Sequence, residues 1–239
     1  MSGTRQRPEL GAGAECGDSR FRTIRSFVRR EGRITPGQTN ALAQYLEHFS
    51  VPPDEQLNFD AIFGRDAPTY LEIGSGNGQC IAALAKAYPA NNYLAVEVHR
   101  PGIGHLLQLA VETKLENLRI VAADVQTLLP RLRPESITGV YIFFPDPWPK
   151  LRHHKRRLLQ GDFLTALRPC LQRHGRINFA TDSGDYAERV MTFIANTSDW
   201  INLAGSARSP RLKLRPCTRF ESRGIAAGRE IYDFTFARA

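Results

Sequence analysis

The chain has 239 residues, 42% of them hydrophobic and 23% charged, with 32 Lys and Arg against 24 Asp and Glu and a formal net charge of +8. This apolar content can bury a core without disulfides or a structural metal, and it excludes the composition of a disordered chain. The 19 Gly and 15 Pro follow no period, which excludes a collagen-like chain, while the Arg-rich surplus suits phosphate and leans towards a nucleic-acid partner.

Residues 1–37 read as a basic, partly flexible arm carrying Arg5, Arg7, Arg20, Arg22, Arg25, Arg29, Arg30 and Arg33, with Phe21, Ile24, Phe27 and Val28 able to dock on a core. The arm has no continuous apolar stretch of the signal-peptide kind, and no run in the chain approaches about 18 apolar residues, so a cytoplasmic protein without membrane contact is expected. Residues 38–239 read as a single domain, opening with a helix predicted over 39–48 from the spacing of Leu42, Tyr45, Leu46 and Phe49. From Thr69 the strands TYLEI, NYLAVEV, LRIVAA, GVYIFF and RINFAT alternate with helices predicted over 78–86, 102–115, 126–132, 155–167 and 185–196. That alternation predicts an α/β fold, right-handed βαβ units around a mostly parallel sheet with helices on both faces. The final EIYDFTFA reads as an antiparallel strand, and SPRLKLRPCTRFESRG as a loop in which RLKLR is a possible hairpin partner. Cys16, Cys80, Cys170 and Cys217 are too far apart for a zinc site, so no metal is assigned.

In such sheets ligands bind beyond the carboxyl ends of the strands, where the polar motifs of this chain fall. Gly74, Gly76 and Gly78 follow the first strand in a tight turn, although the third glycine comes one residue too early for GxGxxG and position 79 is Gln. Glu97 ends the second strand, placed to accept ribose hydroxyls, and Asp124 closes the third, where it can meet an adenine amino group. Glu72, between Leu71 and Ile73, must face the cleft or find a buried partner. Any one of these acids could be a salt bridge or a helix cap. Three of them behind a glycine turn are explained more economically by a nucleoside-bearing cofactor with a cationic centre.

The run FFPDPWPKLRHHKRR presents Asp146 between Pro145 and Pro147, which stiffen the loop after the fourth strand. Trp148 serves as an anchor or a stacking surface. Lys150, Arg152, His153, His154, Lys155, Arg156 and Arg157 follow without an acid, a solvated face or a phosphate-binding one, with Arg156 and Arg157 free to diverge, one towards RNA and one towards the protein. Asp182 ends the fifth strand, and Asp185 suits the next helix's N-terminus. In the late loop, Thr218 and Glu221 could read base donors, and Arg219 and Arg223 could bind phosphate. The basic stretches 20–33, 150–157 and 208–223 are the surfaces expected to meet RNA.

LEIGSGNG, EVHRPG, FFPDPWPKLRHHKRR, TDSGDYAE and TRFESRG, spread over residues 27–236, together resemble the bacterial tRNA (guanine-N7-)-methyltransferase family. The resemblance implies a Rossmann-like class I methyltransferase with a seven-stranded sheet, S-adenosylmethionine as cofactor and guanine 46 in the tRNA variable loop as target. Carried over motif by motif, it implies cofactor contacts at Glu72, Gly74, Gly76, Gly78, Glu97, Asp124 and Asp146, with Asp146 also catalytic. It implies substrate contacts at Lys150, Asp182, Thr218, Arg219, Phe220 and Glu221, and RNA contacts along 152–157. Ser183 stands where many relatives have Trp, and Pro149 where His is frequent, which bears on how the base is packed. Tracing PDPW to the NPPY-like loops of amino methyltransferases would predict an exocyclic-nitrogen or rRNA enzyme instead, but the acid in its second position argues against that. A non-catalytic RNA-binding domain would be expected to bind tRNA without methyl transfer.

Overall fold

The computed structural model describes residues 32–51 and 56–239. Most of the predicted basic arm, including Phe21, Ile24, Phe27 and Val28, lies outside the described residues. The first helix, α1 (Pro36–Phe49), starts on Thr35, whose hydroxyl accepts the Gln38 N–H while the Gln38 side chain accepts the Thr35 N–H, a reciprocal cap in front of the apolar positions. A short α2 (Phe59–Phe63) follows, and then β1 (Thr69–Ile73), α3 (Gln79–Ala87), β2 (Asn92–Val96), α4 (Arg100–Glu112), β3 (Leu118–Val121), α5 (Val125–Leu128) and β4 (Ile137–Phe143). The chain continues through α6 (Gly161–Leu167), β5 (Leu171–Thr181), α7 (Gly184–Ala195), β6 (Trp200–Asn202), α8 (Arg219–Ala226) and β7 (Tyr232–Arg238).

The seven strands lie in the order β3-β2-β1-β4-β5-β7-β6, parallel except for β7, which inserts antiparallel between β5 and β6. The order reverses between β1 and β4, the point at which ligands settle in open α/β sheets. Strand alternation sends Leu71 and Ile73 to one face, into a core with Val140, Ile142, Phe163, Leu164, Tyr186 and Val190. Tyr93, Ala95 and Tyr141 pack on the other face under α1, α3 and α4, with Leu42, Ile81, Leu84, Leu106 and Leu107. Tyr93, Tyr70 and Tyr141 stack across three strands at centroid distances of 5.7 and 5.9 Å. Among the described residues no helix is long and apolar enough to cross a membrane.

Three expectations are corrected. RLKLR is no strand; β7 instead pairs with β6, three residues anchored by the buried Trp200, because Arg215 is drawn inward by acids rather than left on a sheet edge. The helix predicted over 155–167 is split into a 3₁₀ turn at Leu151–Arg156 and α6, since the Arg157 backbone is extended and its side chain turns into the protein. The late segment read as a loop forms α8, capped by Thr218, whose hydroxyl accepts the Glu221 N–H.

Candidate active site

Gly74, Gly76 and Gly78 have φ of 73°, 57° and 75°, a left-handed backbone that side chains with a Cβ rarely adopt. The turn is fixed by backbone: Gly74 N–H donates to the Val96 carbonyl and Gly78 N–H to that of Ser75, both at 2.8 Å. Glu97, just beyond β2, accepts Gly76 N–H on Oε2 at 2.7 Å and the Val98 and His99 N–H groups on Oε1 at 2.7 and 2.8 Å. Its carboxylate therefore ties two loops together at the strand ends. The α4 helix presses on the same turn, because a Cβ at Gly102 would lie 2.1 Å from the Gly76 carbonyl oxygen. His105 of α4 donates Nδ1–H to the Asn77 carbonyl at 2.8 Å, a tautomer dictated by an acceptor that has no proton to give. Sequence reasoning missed Gly102 and His105, whose contacts become visible only once α4 is docked.

Glu72 is buried beneath α3. Desolvation pushes its carboxyl up to about 8, against hydrogen bonds from the Cys80 thiol and the Ile81 backbone, with the Glu97 charge adding a further upward push. Its Oε2 has no hydrogen-bond partner. Asp124 caps α5, with Oδ1 accepting Gln126 N–H at 3.0 Å.

Across the switch point, β4 runs into Phe144, which adopts φ 53° and donates its N–H to the Ala180 carbonyl at 2.8 Å. The chain then enters Pro145–Asp146–Pro147, leaving Asp146 exposed. Trp148 is buried at φ 44°, the anchor of the two roles foreseen, with Arg156 4.9 Å over its ring and His153 edge-on at 5.8 Å. Arg157 is buried, donating Nε–H to the Pro147 carbonyl at 2.8 Å and Nη2–H to Asp185 at 2.5 Å. The two arginines do diverge: Arg156 lies outward with Lys150, Arg152 and Lys155, and Arg157 closes the Asp146 loop from within. His153 is half-buried and the His154 side chain is mostly covered, with Nε2 3.1 Å from Arg157 Nη2; desolvation and the neighbouring cations hold His153 below its ordinary value.

Asp182, at the end of β5, is nearly covered; Arg229 Nε lies 3.1 Å from its Oδ2, and Gly224 of α8 packs against it. Phe220 is half exposed, with its ring 5.8 Å from that of Phe144. Thr218 caps α8; the side chain of Arg219 lies outside the described residues. Glu221 is buried in ion pairs with Arg211 and Arg215 at 3.1 and 2.9 Å. Within the 208–223 stretch Arg215 is turned into the protein, while Arg208, bonded to Glu230, and Arg211, Lys213 and Arg223 stay exposed. The carboxyl edge brings the glycine turn, Glu97, Asp124, Asp146 and Asp182 to adjacent strand ends, whereas Arg157 and Glu221 point inward.

The strand order with its single antiparallel strand, and a glycine turn facing the switch point, define a Rossmann-like class I methyltransferase fold. The crystal structure of 16S rRNA methyltransferase KamB shares this fold, with a TM-score of 0.55 at 15% identity over 76% of this chain and 92% of that one. A family model described as "Putative methyltransferase" matches residues 66–234. The tRNA (guanine-N(7)-)-methyltransferase of Alkalilimnicola ehrlichii is 44% identical over 91% of this chain and 93% of its own length. That of Hydrogenovibrio crunogenus is 42% identical over 91% and 92%. The chain belongs to the tRNA (guanine-N7-)-methyltransferase family.

Proposed function

We propose that this protein transfers the methyl group of S-adenosylmethionine to N7 of guanine 46 in the tRNA variable loop, releasing S-adenosylhomocysteine. The observation that carries the reading is an exposed carboxylate, Asp146, held between two prolines at the strand end next to a left-handed glycine turn. The residues present suit the cofactor. A Cβ at Gly74 or Gly76 would meet no atom within 4 Å, which leaves the turn open for close approach by a ligand. Glu97 and Asp124 would hold the ribose and the adenine, and Glu72 would support the turn from below. When bound, the cofactor supplies an electrophilic methyl on sulfonium.

Guanine N7 already carries a lone pair, so the protein has no proton to remove. With the methyl supplied to that lone pair and sulfur keeping the electrons of the broken bond, the residues of the chain would have to hold N7 in line and meet the positive charge that arrives on the purine. The main task of the chain is therefore alignment, which for ideally oriented groups lowers a barrier by roughly 7–11 kcal/mol. Asp146 would accept from the guanine N1–H and amino group and oppose the charge that develops on the ring, a role in positioning and electrostatics. Lys150 would meet phosphate or the O6 edge as a cation. Exposed Arg152, Lys155 and Arg156, with half-buried His153, would track the tRNA backbone, while Arg157 and the covered His154 would keep their turn in place. Asp182, Thr218 and Phe220 would border the base, and Arg219 would bind phosphate. Glu221 would act there by holding the start of α8.

N7 faces the deep, narrow major groove of A-form RNA, so the target nucleotide must be exposed by a local rearrangement of the loop. The remaining expectations stand as part of this proposal: residues 38–239 acting as one domain preceded by a basic arm, in the cytoplasm, on tRNA and not DNA. Methylation of unmodified tRNA transcripts with guanine or another base at position 46 tests the reading. Transfer should require guanine there; equal transfer to both transcripts would overturn the assignment.

A further inference from the structure

Arg215 is a fully buried arginine that the reaction as described does not use. Its Nη1 donates to Asp233 of β7 at 2.8 Å, and its Nη2 donates to Glu221 of α8 at 2.9 Å and to Asp233 at 3.2 Å. The guanidinium lies 5.0 Å from the Phe143 ring centroid and 5.3 Å from that of Phe144. Arg211 completes a cluster of two cations and two anions by pairing with Glu221. Burial pushes the Asp233 carboxyl upward against the Arg215 charge, and Arg211 is the exposed member of the cluster.

Buried ion pairs are poor devices for stability, because desolvation offsets most of their attraction and apolar replacements of equal volume are often neutral. What this cluster supplies is geometry. One planar fork joins β7, the first turn of α8 and the exit of β4. Phe144, in left-handed conformation, leads directly into Pro145 and Asp146, and its ring meets Phe220 at the start of α8. Lys could keep the charge but neither the fork nor the guanidinium placed over both rings.

We infer that Arg215 is a positioning residue for the methyl acceptor, fixing the Phe144 turn and α8 so that Asp146 and Phe220 flank the same base. The inference rests on the proposed reaction. It is tested with Arg215→Lys in the full chain by three measurements: the Kd for S-adenosylhomocysteine from calorimetry, the binding stoichiometry used to normalise rates, and single-turnover methylation of tRNA. Affinity for S-adenosylhomocysteine should stay within about threefold while the normalised methylation rate falls by about 30-fold or more. In an Asp146→Asn background the same change should cost less than about threefold, because both act on one contact. A normalised rate within about threefold of the parent, or losses that multiply in full in the double variant, would overturn the inference. If Arg215→Lys does not fold, Arg211→Gln loosens the cluster from its exposed side and should lower the normalised rate by about three- to tenfold; an unchanged rate would overturn the inference equally. Absence of S-adenosylhomocysteine binding or of tRNA methylation in the parent would instead refute the proposed reaction.

Discussion

The two halves of the carboxyl edge are held by different means. On the side of β1 and β2, what is held is backbone: the glycine turn bonds to the end of β2, the Glu97 carboxylate gathers three main-chain N–H groups, and the α4 backbone at Gly102 rests on Gly76. On the side of β4 and β5, side chains hold side chains: Arg157 with Asp185, Arg215 with Glu221 and Asp233, Arg229 with Asp182. The first half is suited to one constant ligand, since it depends on few side chains. The second half is adjustable, because each tie is a charge pair that one substitution can remove, which suits the proposed contact with tRNA.

The largest expected break falls in the second half. Asp146→Ala should lower the single-turnover rate by about 10²–10³-fold, the usual cost of one preorganised transition-state contact. Its tRNA affinity, measured by filter binding, should change little; equal rates would remove Asp146 from the reaction. In the first half, Gly102→Ala should push the glycine turn away and weaken S-adenosylhomocysteine binding by about 10–100-fold, the equivalent of about 1–3 kcal/mol of overpacking. Calorimetry showing unchanged affinity would contradict the packing of α4 on the turn.

The neighbours Arg156 and Arg157 sharpen the contrast within one turn. Arg157→Ala should cost about 1–3 kcal/mol in urea unfolding through the lost buried hydrogen bonds. Arg156→Ala should leave stability alone and reduce the salt slope of tRNA binding by about one. Identical effects from the two variants would erase the distinction.

A pH-dependent test concerns Glu72. The unfolded chain releases this proton near 4.5, and the folded chain keeps it until about 8. The stability contributed is present in full below about pH 4.5 and is lost as the pH rises towards 8, since the folded state binds more protons across that window. Glu72→Gln should flatten the decline between pH 5 and 8 in unliganded protein. Parallel pH profiles for parent and variant would count against a buried neutral carboxyl.

Most of the first half was legible in the sequence because its signals are local: TYLEI before three glycines, and an acid at the end of NYLAVEV. Gly102 was not, since nothing in EVHRPG says that it meets Gly76. The second half was legible as a list of polar residues but not as an arrangement. Glu221 was expected to read a base, and only its docking against Arg215, itself tied to Asp233, explains why it faces inward. The α8 helix had a sequence signal, Thr218 followed three residues later by Glu221, but the flanking RLKLRPC read more readily as loop. The edge strand Trp200–Asn202 is too short to show alternation, so RLKLR stood in for it.

The central claim is tested most directly by incubating the protein with labelled S-adenosylmethionine and unmodified tRNA and resolving the nucleosides of the digested product. The label is expected in N7-methylguanosine alone. Label in a nucleoside methylated on an amino nitrogen, or tRNA binding with no transfer, would contradict the account.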